Sequence, residues 1–95
     1  MKRDEALAIL RSQQPILKER FGIMRMGIFG SVARDEAGEE SDVDVVVEMP
    51  ADLFAMVHLK EQLEEAFDHT VDLVRYRDRM NPFLKKRIEK DALYV

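Results

Sequence analysis

Apolar residues recur along the chain at the spacing of amphipathic helices in three long segments. The first, residues 3 to 21, is expected to be helical, with Pro15 breaking or kinking it near Gln14 and Gly22 ending it. Its candidate core positions are Leu7, Leu10, Leu17 and Phe21. This pattern predicts one long helix, or two short ones, packed on a core.

Two further helices are predicted in the second half of the chain. Asp52 can cap a helix that runs to about Phe67, and Asn81 followed by Pro82 is a strong start for a helix to about Ala92. The core positions expected in the first of them are Leu53, Met56, Leu59, Leu63 and Phe67. In the second, Leu84, Ile88 and Leu93 are expected to face inward, and Lys85, Lys86, Arg87 and Lys90 outward.

Three segments rich in β-branched residues predict strands between these helices. They are MRMGIFG (24–30), DVDVVVEM (42–49) and TVDLVRY (70–76). A two-turn helix from Ser31 to Ala37 should follow the first strand, with Ser31 near its N-cap and Gly38 past its end. The resulting order αβαβαβα predicts an α/β (α+β) fold with a small three-stranded mixed sheet and helices mainly on one face. The 95 residues are expected to form a single domain.

Composition and charge exclude several classes of function. The net charge of −4 argues against non-specific binding of nucleic acid or membranes, and no cysteine is present to form disulfides or thiolate metal sites. No signal peptide and no apolar run long enough to cross a membrane are visible. A cytoplasmic protein without direct nucleic-acid binding is therefore expected.

Carboxylates occupy one face of two predicted strands. Asp42 and Asp44 are two residues apart, so they point to the same face, opposite to the apolar set Val43, Val45 and Val47. Asp72 likewise alternates with Val71 and Leu73 in the third strand. If the two strands are neighbours in suitable register, three carboxylates converge, although a slip of one residue would separate them.

Such a cluster needs either raised pKa values or a bound cation. Oxygen-only ligands suit a hard divalent ion, Mg²⁺ or Mn²⁺, and an Asp-x-Asp pair with a third Asp can hold two such ions for in-line phosphoryl displacement. The sequence therefore predicts that Asp42, Asp44 and Asp72 are both metal ligands and catalytic residues.

Gly30 and Ser31 stand where the first strand meets the short helix. Glycine lets the backbone approach a phosphate, and the amides at the start of a helix face an anion. Ten residues separate Ser31 from Asp42, which is enough for one short helix and a return loop. Taken singly, each feature also fits a plain turn, a loop carboxylate or a solvated edge residue. Arg34 is either a phosphate contact or a surface residue.

The segment GSVARDEAGEESDVD, with the pattern Gly-Ser-x10-Asp-x-Asp, resembles the signature of the DNA polymerase beta-like nucleotidyltransferase superfamily. The nearest resemblance is to its minimal members, the MNT proteins, which serve as antitoxins in HEPN/MNT toxin–antitoxin pairs. It implies a polymerase beta palm-like fold and ATP as substrate. It also implies nucleotide-phosphate binding by Gly30 and Ser31, metal binding by Asp42 and Asp44, and activation of the attacking hydroxyl by Asp72.

One residue departs from the pattern of that family. Minimal members often read Gly-Ser-x-Ala-Arg-Gly, and Asp35 stands here in place of the last glycine. An acid is thereby expected in the first turn of the short helix, which is unhelpful beside phosphates.

The resemblance also implies a partner: AMP is transferred to a tyrosine hydroxyl of a cognate HEPN ribonuclease toxin, which silences it. The short chain agrees, because a cleft without a second lobe should be completed by another protein. One alternative is a non-catalytic antitoxin that inhibits the toxin by binding. Another is a nucleotidyltransferase for a small molecule, which the absence of a pocket-building lobe disfavours.

Overall fold

Helices and strands alternate along the whole chain in a computed structural model that describes residues 1–95. The helices are α1 (Arg3–Phe21), α2 (Gly30–Ala33), α3 (Leu53–Phe67) and α4 (Pro82–Asp91). The strands are β1 (Arg25–Phe29), β2 (Val43–Glu48), β3 (Val71–Arg75) and β4 (Leu93–Tyr94). None of the helices combines the length and the apolar character that crossing a membrane requires.

The sheet has four strands rather than the three predicted, in the order β3-β2-β1-β4. It is mixed, as expected: β2 pairs antiparallel with β1 and parallel with β3. The additional strand β4 pairs with β1, and Leu93 lies opposite Ile28. Leu93 is therefore not an inward-facing helix residue, as predicted, but a strand residue that is 37% exposed.

The main core lies between the sheet and the two long helices. Alternate strand residues Val43, Val45 and Val47 are fully buried on this side, as the alternation predicts. The helices contribute Ala6, Leu10, Leu17, Leu59, Leu63 and Phe67 to the same cluster. Leu53 was wrongly expected here: it is 77% exposed, because it lies about 120° around α3 from Leu59 at 3.6 residues per turn.

α1 is continuous through Pro15, so the predicted break near Gln14 does not occur. Pro15 and Arg11, whose carbonyl loses its helical partner, are both exposed, and water can bind that carbonyl. Gly22 ends the helix as predicted, in a left-handed conformation that lets its N–H bond to the Lys18 carbonyl at 3.0 Å.

The opposite face of the sheet carries α4. A second cluster of buried residues, Phe29, Val46, Met80 and Ile88, joins this helix to β1 and β2. Because Val46 and Asp44 are two residues apart, α4 packs on the same face that carries the carboxylates. That face is thus partly covered, and α4 becomes one wall of the site.

Candidate active site

The sheet register brings two of the predicted carboxylates together. β2 and β3 run parallel, and Asp44 lies directly opposite Asp72. Asp42 comes one residue before β2. Asp44 is half-buried, whereas Asp42 and Asp72 are exposed, Asp72 on an edge strand. The three side chains therefore share one face at the start of β2 and β3.

The surroundings of Asp44 disfavour the ionised form of its carboxyl group. Burial, and then the negative charge of Asp72, raise the pKa of the Asp44 carboxyl, and Asp42 adds to the effect. The positive charges of Arg87 and Arg34 oppose it. Asp44 is thus the carboxylate that gains most from a neighbouring cation.

The donor chemistry fits a divalent metal, although the ligand set is not assembled. No three His, Cys, Asp or Glu side chains converge closely enough to hold an ion. The carboxylates of Asp42 and Asp72 are exposed and can rotate, while that of Asp44 is half-buried and lies against Gly30. Three carboxylates with no nitrogen or sulfur donor suit Mg²⁺ or Mn²⁺.

Gly30 is required by its contact with Asp44. It has φ +71°, and a Cβ atom at this position would overlap the Oδ2 atom of Asp44. From the sequence, this glycine was predicted to let the backbone approach a phosphate. The structure shows a more immediate reason: a side chain here would push the carboxylate out of the site. The turn after β1 is thereby held against the sheet face that carries Asp42, Asp44 and Asp72, which we call the acidic face.

The short helix after this turn is smaller than predicted. α2 spans Gly30–Ala33 with Phe29 as N-cap, so Ser31 is the second residue of the helix, near the N-cap as predicted. The helix does not reach Ala37, because Asp35 adopts a left-handed conformation with φ +61°. Ser31 is half-buried beside Gly30, where the amides of the first turn have no partner within the helix.

Asp35 does not lie in the first turn of the motif helix, contrary to the prediction. Its carboxylate accepts a hydrogen bond of 3.0 Å from the backbone N–H of Arg3. That bond lowers the pKa of Asp35. The N-cap of α1, Lys2, provides no side-chain cap of its own, so Asp35 caps this helix from a distance in sequence.

Arg34 forms ion pairs with Glu36, at 3.1 Å, and with Asp91 at the end of α4. The side chain of Asp91 is only 7% exposed. The hydrogen bond to Glu36, and then that to Asp91, raise the pKa of Arg34. Arg34 therefore ties α2 to α4, and its predicted contact with a nucleotide would compete with these carboxylates.

Arg87 is the residue near the site that the sequence interpretation missed. It was assigned to a solvated face of the last helix, and it is exposed. Its positive charge nevertheless lowers the pKa of Asp44. Arg87 precedes by one helical turn Asp91, which pairs with Arg34 of α2. The sequence alone does not reveal this position, because only the pair of Asp91 with Arg34 shows which way the helix face shared by Arg87 and Asp91 points.

The largest groove lies away from these residues. It has a volume of about 410 Å³ between the start of α3 and the end of β3, and none of the three aspartates lines it. Two of the three aspartates, Asp42 and Asp72, are instead exposed on the surface, where a large substrate can reach them.

The fold is that of a nucleotidyltransferase. Residues 10–95 match the family model described as "Nucleotidyltransferase domain", and the chain belongs to this family. The predicted class, an adenylyltransferase among the minimal nucleotidyltransferases, is confirmed by the comparisons with known proteins.

One relative and two solved structures are similar to this chain. Protein adenylyltransferase MntA of Thermococcus cleftensis is 37% identical over 95 residues, which cover 97% of this chain and 94% of the relative. A solved structure of a "putative minimal nucleotidyltransferase" superposes with a TM-score of 0.78 at 35% identity, covering 98% of this chain and 95% of that one. The MNT antitoxin bound to a tri-AMPylated HEPN toxin of Shewanella oneidensis gives a TM-score of 0.60 at 22% identity, covering 97% and 66%. This last likeness shows the shared fold.

Proposed function

We propose that the chain transfers AMP from ATP to a tyrosine hydroxyl of a cognate HEPN ribonuclease toxin and thereby neutralises it as an antitoxin. One observation carries the proposal: Asp44 lies opposite Asp72 in parallel strands and against the glycine that opens the α2 turn. This arrangement brings carboxylates near the start of a helix, whose first amides have no partner within the helix, and a metal-bound nucleotide needs both groups.

In this proposal Asp42, Asp44 and Asp72 hold two divalent ions, Mg²⁺ or Mn²⁺. The ions would neutralise the charge of the triphosphate and lower the pKa of the acceptor hydroxyl. The first-turn amides and the hydroxyl of Ser31 orient the phosphates. The tyrosine oxygen bonds to the α-phosphorus of ATP, the bond to pyrophosphate breaks, and the tyrosine proton passes to Asp72. Asp72 suits this role because it lies on the exposed edge strand, where an incoming side chain can reach it.

A protein substrate is favoured by the openness of the site and by the relatives. Asp42 and Asp72 are both exposed, so a side chain presented by another protein can reach them. A relative with 37% identity is named a protein adenylyltransferase, and a more distant structural neighbour was solved bound to an AMPylated HEPN toxin. These names support the same reaction and partner class for this chain.

The intact mass of the partner tests the proposal. The HEPN toxin proposed as the partner is purified and incubated with ATP, MgCl₂ and either the wild-type chain or its Asp44→Asn variant. We expect the partner to gain the mass of one AMP, or a multiple, with the wild type. The variant should be slower by ~100-fold or more, the scale at which loss of one electrostatic stabiliser affects a rate.

A non-catalytic antitoxin is the second candidate, and one observation favours it. The three carboxylates do not converge into a ready ligand set in the chain alone. In that case the partner would bind tightly and lose its ribonuclease activity while its mass stayed unchanged. Asp44→Asn would then inhibit the toxin as well as the wild type does.

A further inference from the structure

We propose that Arg87 binds the β- and γ-phosphates of ATP. This inference rests on the proposed function, and it gives the phosphate-binding role to a residue of α4 rather than to Arg34. The distinction matters because the two arginines lie on different elements and have different partners.

The position of Arg87 follows from how α4 is fixed. Asn81 caps the start of the helix by accepting hydrogen bonds from the N–H groups of Phe83 and Leu84, at 2.9 and 3.2 Å. Ile88 is fully buried against the sheet. At its end, Asp91 is paired with Arg34 of α2. With both ends and the middle fixed, the rotation of α4 about its axis is determined.

That rotation directs Arg87 toward the acidic site. Arg87 precedes Asp91 by one turn and therefore lies on the same side of the helix, the side that faces α2. α2 begins at Gly30, which touches the Asp44 carboxylate. Helix α4 thus presents a guanidinium across the site from the carboxylates.

Of the two arginines, Arg34 and Arg87, only Arg87 has a guanidinium free of side-chain partners. The guanidinium of Arg34 is engaged by Glu36 and Asp91. Arg87 forms no ion pair or side-chain hydrogen bond with any residue, Asp44 included. A phosphate group can therefore lie between Arg87 and the carboxylates without breaking an existing contact. A planar guanidinium with five N–H donors binds two phosphate oxygens at once, and a lysine cannot reproduce this geometry.

Lys86 provides a matched control on the same helix. It is exposed and carries the same charge, but it points about 100° away around the helix from Arg87. Removing it changes the net charge by the same amount without touching the proposed contact. Arg87→Lys separates the charge from the shape of the guanidinium.

The test measures binding of ATP and of AMP, each with Mg²⁺, by isothermal titration calorimetry. Arg87→Ala should weaken ATP binding by ~10- to 100-fold, the usual value of one or two charge-assisted hydrogen bonds, and AMP binding by less than ~3-fold. Arg87→Lys should fall between the wild type and Arg87→Ala. Lys86→Ala should stay within ~3-fold of the wild type for both nucleotides.

Three outcomes overturn the assignment of Arg87. They are unchanged ATP binding by Arg87→Ala, an equal loss of ATP and AMP binding, and an equal loss of ATP binding by Lys86→Ala. If Arg87→Ala does not fold, unchanged ATP binding by Arg87→Lys overturns the assignment as well. If the wild type itself binds no ATP, the proposed function fails and the role of Arg87 fails with it, so the two failures are distinguishable.

Discussion

At the scale of single residues, the site depends on a backbone position that tolerates no side chain. Gly30 has φ +71° and lies in contact with the Asp44 carboxylate. Two independent costs of substitution, left-handed backbone strain and steric overlap, therefore meet at one residue. The carboxylate moves whenever this residue changes.

Gly30→Ala should lower the free energy of unfolding by about 1–3 kcal/mol and displace Asp44. Urea denaturation measures the first effect and titration with Mg²⁺ and ATP the second. Gly38→Ala is the matched control, because a Cβ atom there would meet only the Ser41 hydroxyl oxygen at 3.8 Å. Equal stability of the two variants would contradict the role given to Gly30.

The ionised Asp44 carboxylate is expected to lower the free energy of unfolding of the chain. Its pKa is raised by burial and by Asp72, so between the ordinary value of 3.8 and the raised value the native state binds more protons than the unfolded state. Stability from this group is consequently lost as pH rises through that window. Asp44→Asn should melt at a higher temperature than the wild type at pH 7, and the difference should vanish below the ordinary pKa.

The melting curves are measured without metal and then with MgCl₂. Added Mg²⁺ should raise the melting temperature of the wild type and leave that of Asp44→Asn nearly unchanged, because the ion binds the native carboxylates. A variant that melts below the wild type at pH 7 without metal would show that Asp44 serves the fold rather than the site.

At the scale of elements, Asp35 connects the end of α2 to the start of α1. It accepts a hydrogen bond from the Arg3 N–H and adopts φ +61°. Asp35→Ala should be less stable than Asp35→Gly, because both lose the bond but only alanine keeps the left-handed strain. Thermal melting at pH 7 compares the two variants, and an equal melting temperature would contradict the strain at this position.

The contribution of Asp35 should also depend on pH with the opposite sign to that of Asp44. Its pKa is lowered in the folded chain, so its stabilisation is present above the ordinary value of 3.8 and is lost as pH falls through the lowered value. The melting temperatures of the wild type and Asp35→Asn should accordingly differ at pH 7 and converge in acid.

The sequence predicted the elements with strong periodicity and missed those set by single contacts. The strands β1 to β3 and the helix start at Asn81 follow from pattern and capping chemistry, as does the shared face of Asp42, Asp44 and Asp72. β4 was missed because a strand of two residues is too short to show an alternation of apolar and polar residues. Its signal is indirect: Gly27 leaves the space in which the Leu93 carbonyl approaches β1.

The length of α2 and the position of Arg87 could not be predicted for a related reason. Asp35 is an ordinary helix residue by composition, and only its bond to Arg3 reveals why it leaves the helix. Arg87 belongs to a run of basic residues that reads as a solvated face, and only the pairing of Arg34 with Asp91 fixes which of them faces the site. Contacts between distant parts of the chain decide both cases.

At the scale of the whole molecule, the two faces of the sheet are covered to different extents. The long helices cover the first, while α4 covers only part of the second and leaves the ends of β2 and β3 open. In the proposed function, docking of the partner and transfer of the nucleotide are separate events, because only the latter needs metal.

Removing the metal should therefore separate the two events. With EDTA in place of MgCl₂ we expect the chain to remain bound to its partner in size-exclusion chromatography while transfer stops. Loss of the complex in EDTA would mean that the ions hold the two proteins together.

The position of the label transferred from ATP tests the central claim most directly. The chain and its partner are incubated with Mg²⁺ and ATP labelled with ³²P either at the α- or at the γ-phosphorus. We predict label on a tyrosine of the partner from the α-phosphorus and none from the γ-phosphorus, and no label in either case with Asp44→Asn. Label from the γ-phosphorus, or a stable complex without label, would contradict nucleotidyl transfer by this acidic face.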